Sequence, residues 1–161
     1  MLFKTSKTIL LLTLCLAGWV AEVAAEDAVA PTAIQWLEYS QGLEQASESG
    51  KAVFINFTAD WCRYCKKMKK ETYADPEVIA YISEHYVPIM VDTTKEKNIA
   101  ARYSVRGLPT IWFLSSSGER ISNLPGYVDA PMFLNVLRYI ATGAYAAIDF
   151  EAFLKAQETE G

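Results

Sequence analysis

Two cysteines three apart, Cys62 and Cys65, are the residues best placed to do chemistry in this chain. An apolar run, Val53-Phe54-Ile55-Asn56-Phe57, stands just before them, and a helical pattern through Cys65, Lys66, Met68, Lys69 and Thr72 follows at once. The order strand, short turn, Cys-x-x-Cys, helix puts Cys62 at a helix N-terminus. Free backbone N–H groups and the positive end of the helix dipole favour an anion there. A thiolate is such an anion, so Cys62 is expected to ionise more readily than a free cysteine. Cys65 lies nearly one turn further on, within reach for a small disulfide. The spacing predicts a dithiol/disulfide redox centre. Arg63 adds a positive charge nearby and Tyr64 a polarisable wall. Trp61, beside a loop cysteine, is expected to be partly exposed, where it would shield the thiolate and touch substrate.

The competing chemistry for such a pair is structural zinc, which takes four protein ligands. Beyond Cys15, the chain offers only Cys62, Cys65 and the single histidine, His85. No metal site and no cofactor are therefore expected. His85 is placed at a helix end, where a cation suits the dipole. Two cysteines three apart close too short a loop to staple a fold, so a disulfide framework is not expected. The 161 residues suffice for one domain with a real core. The net charge of −4 gives no support for nucleic-acid binding.

The elements that must position the pair follow from the pattern. Residues 1–25 read as a secretory signal peptide: Lys4 and Lys7, an apolar stretch from Ile9 to Val20, then Val23-Ala24-Ala25 as a cleavage site. An uncleaved anchor is the alternative. Export to an oxidising compartment, the periplasm of a diderm bacterium, is expected. Residues 26–33 read as a flexible lead-in, and Ile34 to Ser49 as an amphipathic helix with Ile34, Leu37, Leu43 and Ala46 on one face. Ala52 to Thr58 suits a central strand buried on both sides. Helices are expected over Cys62–Thr72, Pro76–His85 and Lys95–Tyr103, and strands over Tyr86–Asp92, Thr110–Leu114 and Arg120–Leu124. A closing helix from Pro131 to Ala141 should turn Met132, Phe133, Val136, Leu137 and Ile140 inward. This alternation is α/β, a central mixed sheet with helices on both faces, over residues 34–143. The tail, 144–161, carries Phe150, Phe153 and Leu154 at helical spacing and should pack on its own domain. The run Lys66, Lys67, Lys69, Lys70 is expected to be a solvated helix face, with a docking surface for an acidic partner as the other reading.

The pieces Ala59-Asp60-Trp61-Cys62-Arg63-Tyr64-Cys65-Lys66, Tyr73-Ala74-Asp75-Pro76, Val91-Asp92-Thr93-Thr94 and Gly107-Leu108-Pro109-Thr110 occur in an order and spacing that resemble the thioredoxin-like family. The resemblance is to its secreted members, and in particular to the C-terminal domain of the transmembrane thiol:disulfide interchange reductase. It covers residues 34–141 and implies a thioredoxin fold. It also implies that Pro109 is a cis-proline facing the cysteines, with the Leu108 backbone offered to an extended substrate segment. Many thioredoxins place a buried Asp six residues before the first cysteine. Here Asn56 holds that position and cannot act as a base, so Cys65 would lose its proton to water or with help from Asp60.

The expected function is an exported thiol-disulfide oxidoreductase, acting through Cys62 as attacking thiol and Cys65 as resolving thiol, and working as a reductant or electron-transfer partner. A disulfide oxidase or isomerase, and a non-catalytic module carrying metal or client on its thiols, are the alternatives. Disulfide-containing proteins are the expected substrates, and a separate membrane or soluble thiol protein the expected electron donor for what should be a monomer.

Overall fold

The structure is a computed structural model and describes residues 31–160. The leader read over 1–25, with Lys4, Lys7 and Cys15, and most of the lead-in lie outside these residues.

The sheet is built on β1 (Ala52–Thr58), whose side chains from Val53 to Phe57 are all buried. It pairs in parallel with β2 (Tyr86–Asp92), in register from Ala52 opposite Tyr86 to Thr58 opposite Asp92. On its other side it pairs antiparallel with β3 (Thr110–Leu114), which forms a hairpin with β4 (Arg120–Pro125). The spatial order is β2-β1-β3-β4. The parallel pairing of β1 and β2 requires a crossover. The crossover consists of α2 (Arg63–Glu71) and α3 (Pro76–His85), preceded in the chain by α1 (Tyr39–Ser49). Then come α4 (Lys97–Arg102), α5 (Ala130–Ala141) and α6 (Phe150–Glu160).

Successive strand residues face opposite ways, and each face has its own core. Phe54, Ile111 and Phe113 pack with Met68, Val78, Ile82, Phe133 and Leu137 on the α2, α3 and α5 side. Val53, Ile55 and Phe57 pack with Ala46, Ala100 and Tyr103 on the α1 and α4 side. This is the mixed α/β sheet, helices on both faces, that the sequence predicts. Phe54 is fully buried and meets Trp36, Tyr86 and Phe133 edge-on at 5.3, 6.0 and 5.9 Å. Truncating such a side chain costs about 3–5 kcal/mol. The strand that delivers Cys62 is therefore held rigidly.

Three elements differ from expectation. Ile34 to Glu38 is extended, not helical: Leu37 N–H donates to Pro88 O at 3.0 Å and Met90 N–H to Leu37 O at 3.1 Å. Ile34 and Leu37 are spaced as in a helix, but Ile34 and Trp36 join one core while Leu37 joins the other, the alternation of extended chain. Pro88 is tolerated in β2 because its nitrogen lies on the outer margin, where no ladder bond is lost. Helix α4 begins at Lys97, since Lys95 and Glu96 close a turn on Asp92 O. In α5 the inward face is Phe133, Leu134, Leu137 and Ile140; Met132 is 41% exposed and Val136 half-buried. The carboxylate of Asp129 accepts the Met132 N–H at 3.0 Å, which sets the phase of the first turn.

Beyond α5 the chain folds back on it. Phe153 is buried against Tyr139 at 5.3 Å, Phe150 lies 5.2 Å from the same ring, and Tyr139 donates its hydroxyl to Ile148 O at 2.7 Å.

Candidate active site

The end of β1 runs through Thr58 and Ala59 into a tight turn, closed by Cys62 N–H donating to Ala59 O at 3.0 Å. Cys62 then caps α2 in extended conformation, φ −76° and ψ 108°. Its sulfur accepts the Cys65 N–H at 3.1 Å, and the two cysteines are joined as a disulfide with Cα atoms 5.3 Å apart. Both are nearly buried, 4% and 6% exposed, in a small cluster with Ala59 and the side chain of Leu108. The sulfur pair thus sits where orphan N–H groups of a helix end point, walled by apolar atoms.

The opposite wall comes from the loop before β3. The Leu108–Pro109 peptide bond is cis. Gly107 O accepts the Thr110 hydroxyl at 2.8 Å and Pro109 O accepts the Gly126 N–H at 2.8 Å, which fixes the loop on either side of Leu108. Leu108 itself makes no backbone hydrogen bond among the described residues. Next to it a cleft of about 360 Å³ is lined by Trp61, Thr93, Lys97, Ala100, Val105 and Leu108.

A thioredoxin-like domain family matches residues 39–141. The chain belongs to the thioredoxin-like family. The thiol:disulfide interchange protein DsbD of Photorhabdus laumondii is 34% identical to it over 110 residues, 65% of this chain and 19% of that protein. DsbD of Vibrio vulnificus is likewise 34% identical over 110 residues, 65% and 18% of the two chains. The chain therefore corresponds to less than a fifth of the length of these relatives. Among solved structures, a thioredoxin from Thermus thermophilus gives a TM-score of 0.62 at 27% identity, covering 67% of this chain and 87% of that one. The oxidised C-terminal domain of Neisseria meningitidis DsbD gives 0.51 at 26% identity, covering 65% and 97%. The fold is a thioredoxin fold, and it carries a Cys62–Cys65 disulfide at the start of α2.

The other sequence-derived residues of this thioredoxin-like site fall at different depths. Trp61 is 71% and Tyr64 59% exposed, so the buried sulfurs are ringed by solvent-facing aromatics. Tyr64 leans on Tyr127, with ring centroids 6.5 Å apart. Asp60 and Arg63 are exposed, one on each side of the Trp61-Cys62 turn. Asn56 is buried in β1, opposite Met90 and Ile111, and its Oδ1 has no hydrogen-bond partner among the described residues. The hydroxyl of Tyr73 is orphaned in the same way, and burial pushes its ionisation far up. His85 ends α3, away from the disulfide, with its ring 4.3 Å from Tyr81. Sequence reasoning gave no role to Ala59, which walls the sulfurs, or to Thr110, which braces the Leu108 loop, and missed Tyr127, which supports Tyr64. Ala59 and Thr110 belong to the quoted motifs; Tyr127 carries no local signal.

Proposed function

We propose that this chain is an exported thiol-disulfide oxidoreductase that delivers electrons to disulfide-bearing proteins. The observation that carries the reading is the position of the Cys62 sulfur: it is the N-cap of α2, 3.1 Å from the Cys65 N–H, with Leu108 and the Trp61 cleft beside it. In the reduced form that N–H and the helix dipole favour a Cys62 thiolate. The thiolate attacks one sulfur of the substrate disulfide, the S–S bond breaks, and the other substrate sulfur leaves as a thiolate. Cys65 then attacks the Cys62 sulfur of the mixed disulfide and expels the second substrate thiol. Two electrons pass to the substrate and the Cys62–Cys65 bond forms.

Leu108 supports the same reading, because its unpaired backbone groups are free to bond an extended substrate segment. Trp61 and the apolar cleft would hold the segment's side chains, with Pro109 keeping that surface open. Arg63 and Tyr64 border the sulfur, and neutral Asn56 leaves the Cys65 proton to water or to Asp60. A separate thiol protein must return the pair to its reduced form. The Lys4–Ala25 pattern supports export to the periplasm, and among the described residues no helix is long and apolar enough to cross a membrane.

Replacing Cys65 with Ala removes the resolving thiol. Mixed disulfides between Cys62 and substrate proteins should then accumulate and be released by a reductant. Absence of any such adduct, with Cys62 no more reactive to alkylation at neutral pH than free cysteine, would overturn the assignment.

A further inference from the structure

Helix α2 bears five cations in nine residues: Arg63, Lys66, Lys67, Lys69 and Lys70. At about 100° per residue, Arg63, Lys66, Lys67 and Lys70 form a ridge directly opposite the buried Cys65 and Met68. Lys67 is engaged, 3.5 Å from Glu71 and 4.0 Å above the Tyr127 ring. Arg63, Lys66, Lys69 and Lys70 have no ion-pair partner among the described residues. The first turn of α2 contains no acid. Cations near a helix N-terminus and like charges three or four apart each work against the helix. A chain of net charge −4 thus concentrates a third of its 15 basic residues on one helix next to the redox disulfide, with Arg63 and Lys66 at the end where cations lower helix stability.

The other side of the Trp61-Cys62 turn is of opposite sign. A cleft there is bordered by Glu38, Asp60, Asp92 and Glu96, with Lys95. Its inner carboxylates are committed within the chain. Asp92 accepts the Thr94 N–H and hydroxyl at 2.9 and 2.6 Å and pairs with Lys95 at 3.5 Å, and Glu96 accepts the Asp92 N–H at 3.2 Å. The acidic side is largely satisfied internally; the basic side is not.

We propose that the α2 ridge is the docking surface for an acidic segment of the disulfide-bearing partner. The proposal rests on the oxidoreductase reading above and adds the charge of the substrate. With a rise of about 1.5 Å per residue, Lys70 stands about 12 Å from Cys62 along the helix, the span of about four extended residues. The partner's acids should therefore lie within about four residues of its reacting cysteine, on one side only, because the Glu38–Asp60 cleft repels them on the other. An anionic membrane fits this ridge less well, since the apolar side of α2 is buried in the core and cannot enter lipid.

The experiment uses the chain reduced by a dithiol and freed of reductant, mixed with three disulfide-bonded peptides identical except for flanking Glu, Gln or Lys residues. Single-turnover exchange is followed by alkylation quench. At about 10 mM salt the Glu peptide should react about tenfold faster than the Gln peptide, and the Lys peptide slowest. The preference should vanish near 1 M salt, where the screening length falls from about 30 Å to about 3 Å. In an Arg63→Gln, Lys66→Gln, Lys70→Gln variant, which removes the unpaired cations of the ridge, the Glu-to-Gln ratio should fall close to one, while Lys155→Gln on α6 leaves it unchanged. Taking the ratio cancels any change in thiol reactivity itself. Equal rates for the three peptides at low salt, or a ratio that survives the triple variant, overturn the docking assignment. Vesicles of phosphatidylglycerol that sediment the protein while the peptides react alike would give the ridge to membranes, and also overturn it. Failure of even the Gln peptide to react would instead remove the oxidoreductase reading beneath it.

Discussion

Helices α2 and α3 start in the same way and for different ends. Both are capped by an extended residue whose side chain accepts backbone N–H groups, Cys62 for α2 and Asp75 for α3. Asp75 Oδ1 takes two of them, from Glu77 at 2.9 Å and Val78 at 3.1 Å, and Pro76 fixes the first turn. It offers the same oxygens whatever the state of the cysteines. The Cys62 sulfur takes one N–H at 3.1 Å, and within a disulfide it is a neutral, weak acceptor. Helix α3 is therefore closed once, at folding. Helix α2 is fully capped only while Cys62 carries a negative charge, which means after the bond to Cys65 has opened. One cap geometry gives stability where the acceptor is indifferent to redox state and reactivity where the acceptor's charge depends on it.

The contrast breaks most sharply at Cys62 itself. Cys62→Ser keeps a good N-cap, so the helix content by circular dichroism should be unchanged while disulfide exchange is abolished. Residual exchange would mean that the cap sulfur is not the reacting atom. Asn56→Asp extends the contrast to Cys65 by putting a carboxyl into a buried strand position. Burial raises its folded-state ionisation above the ordinary value of about 4, at about 1.4 kcal/mol per pKa unit. The variant should match the native stability below that pH and fall behind as pH rises through the folded value, read by denaturant titration. It should also steepen the pH dependence of substrate release, because Cys65 gains a base; identical profiles would count against the role of Asn56. Asp75→Ala should cost about 1 kcal/mol in denaturant unfolding and leave the exchange rate unchanged.

The smallest effect lies at Asp92, a carboxylate that caps a turn. Hydrogen bonds from the Thr94 hydroxyl and N–H hold its ionisation below the usual range. A depressed carboxyl contributes stability above the unfolded value of about 3.9 and loses it as pH falls through the folded value. Thr94→Ala should therefore move the acid limb of the stability curve toward higher pH. A curve that does not move would show that the turn takes no stability from that pairing.

Much of this was legible in the sequence where the signal is local. Ala52–Thr58 and Tyr86–Asp92 are continuous apolar runs, the mark of strands covered on both faces, and Asp75-Pro76 announces its helix. Cys62 and Cys65 are found by their spacing, and Trp61 by its place beside a loop cysteine. What was not legible depends on distant partners. Leu37 pairs with β2 because of Pro88 and Met90, far along the chain, while its spacing from Ile34 imitates a helix. Leu134 replaces Met132 in the core because the Asp129 cap sets the helix phase, and both residues are apolar enough for either place. That Leu108 would stand against the disulfide followed from the family resemblance alone. Nothing in the spacing of Tyr127 places it beneath Tyr64 and Lys67, and no run length shows that Lys66, Lys69 and Lys70 lack ion-pair partners among the described residues.

The short pairing at Leu37 also bears on how the molecule behaves in a crowd. It occupies the Pro88 carbonyl and the Met90 N–H on the outer side of β2, where Pro88 has no N–H to offer, and β4 is the margin at the opposite end of the sheet. That margin is poorly suited to receive a stranger: its register against β3 is irregular near Leu114, Arg120 is drawn across Tyr103 and Trp112, and Pro125 has no N–H to offer. Neither rim invites another copy to add on, so the architecture that keeps a reactive sulfur available to visitors also guards against fibrous self-association.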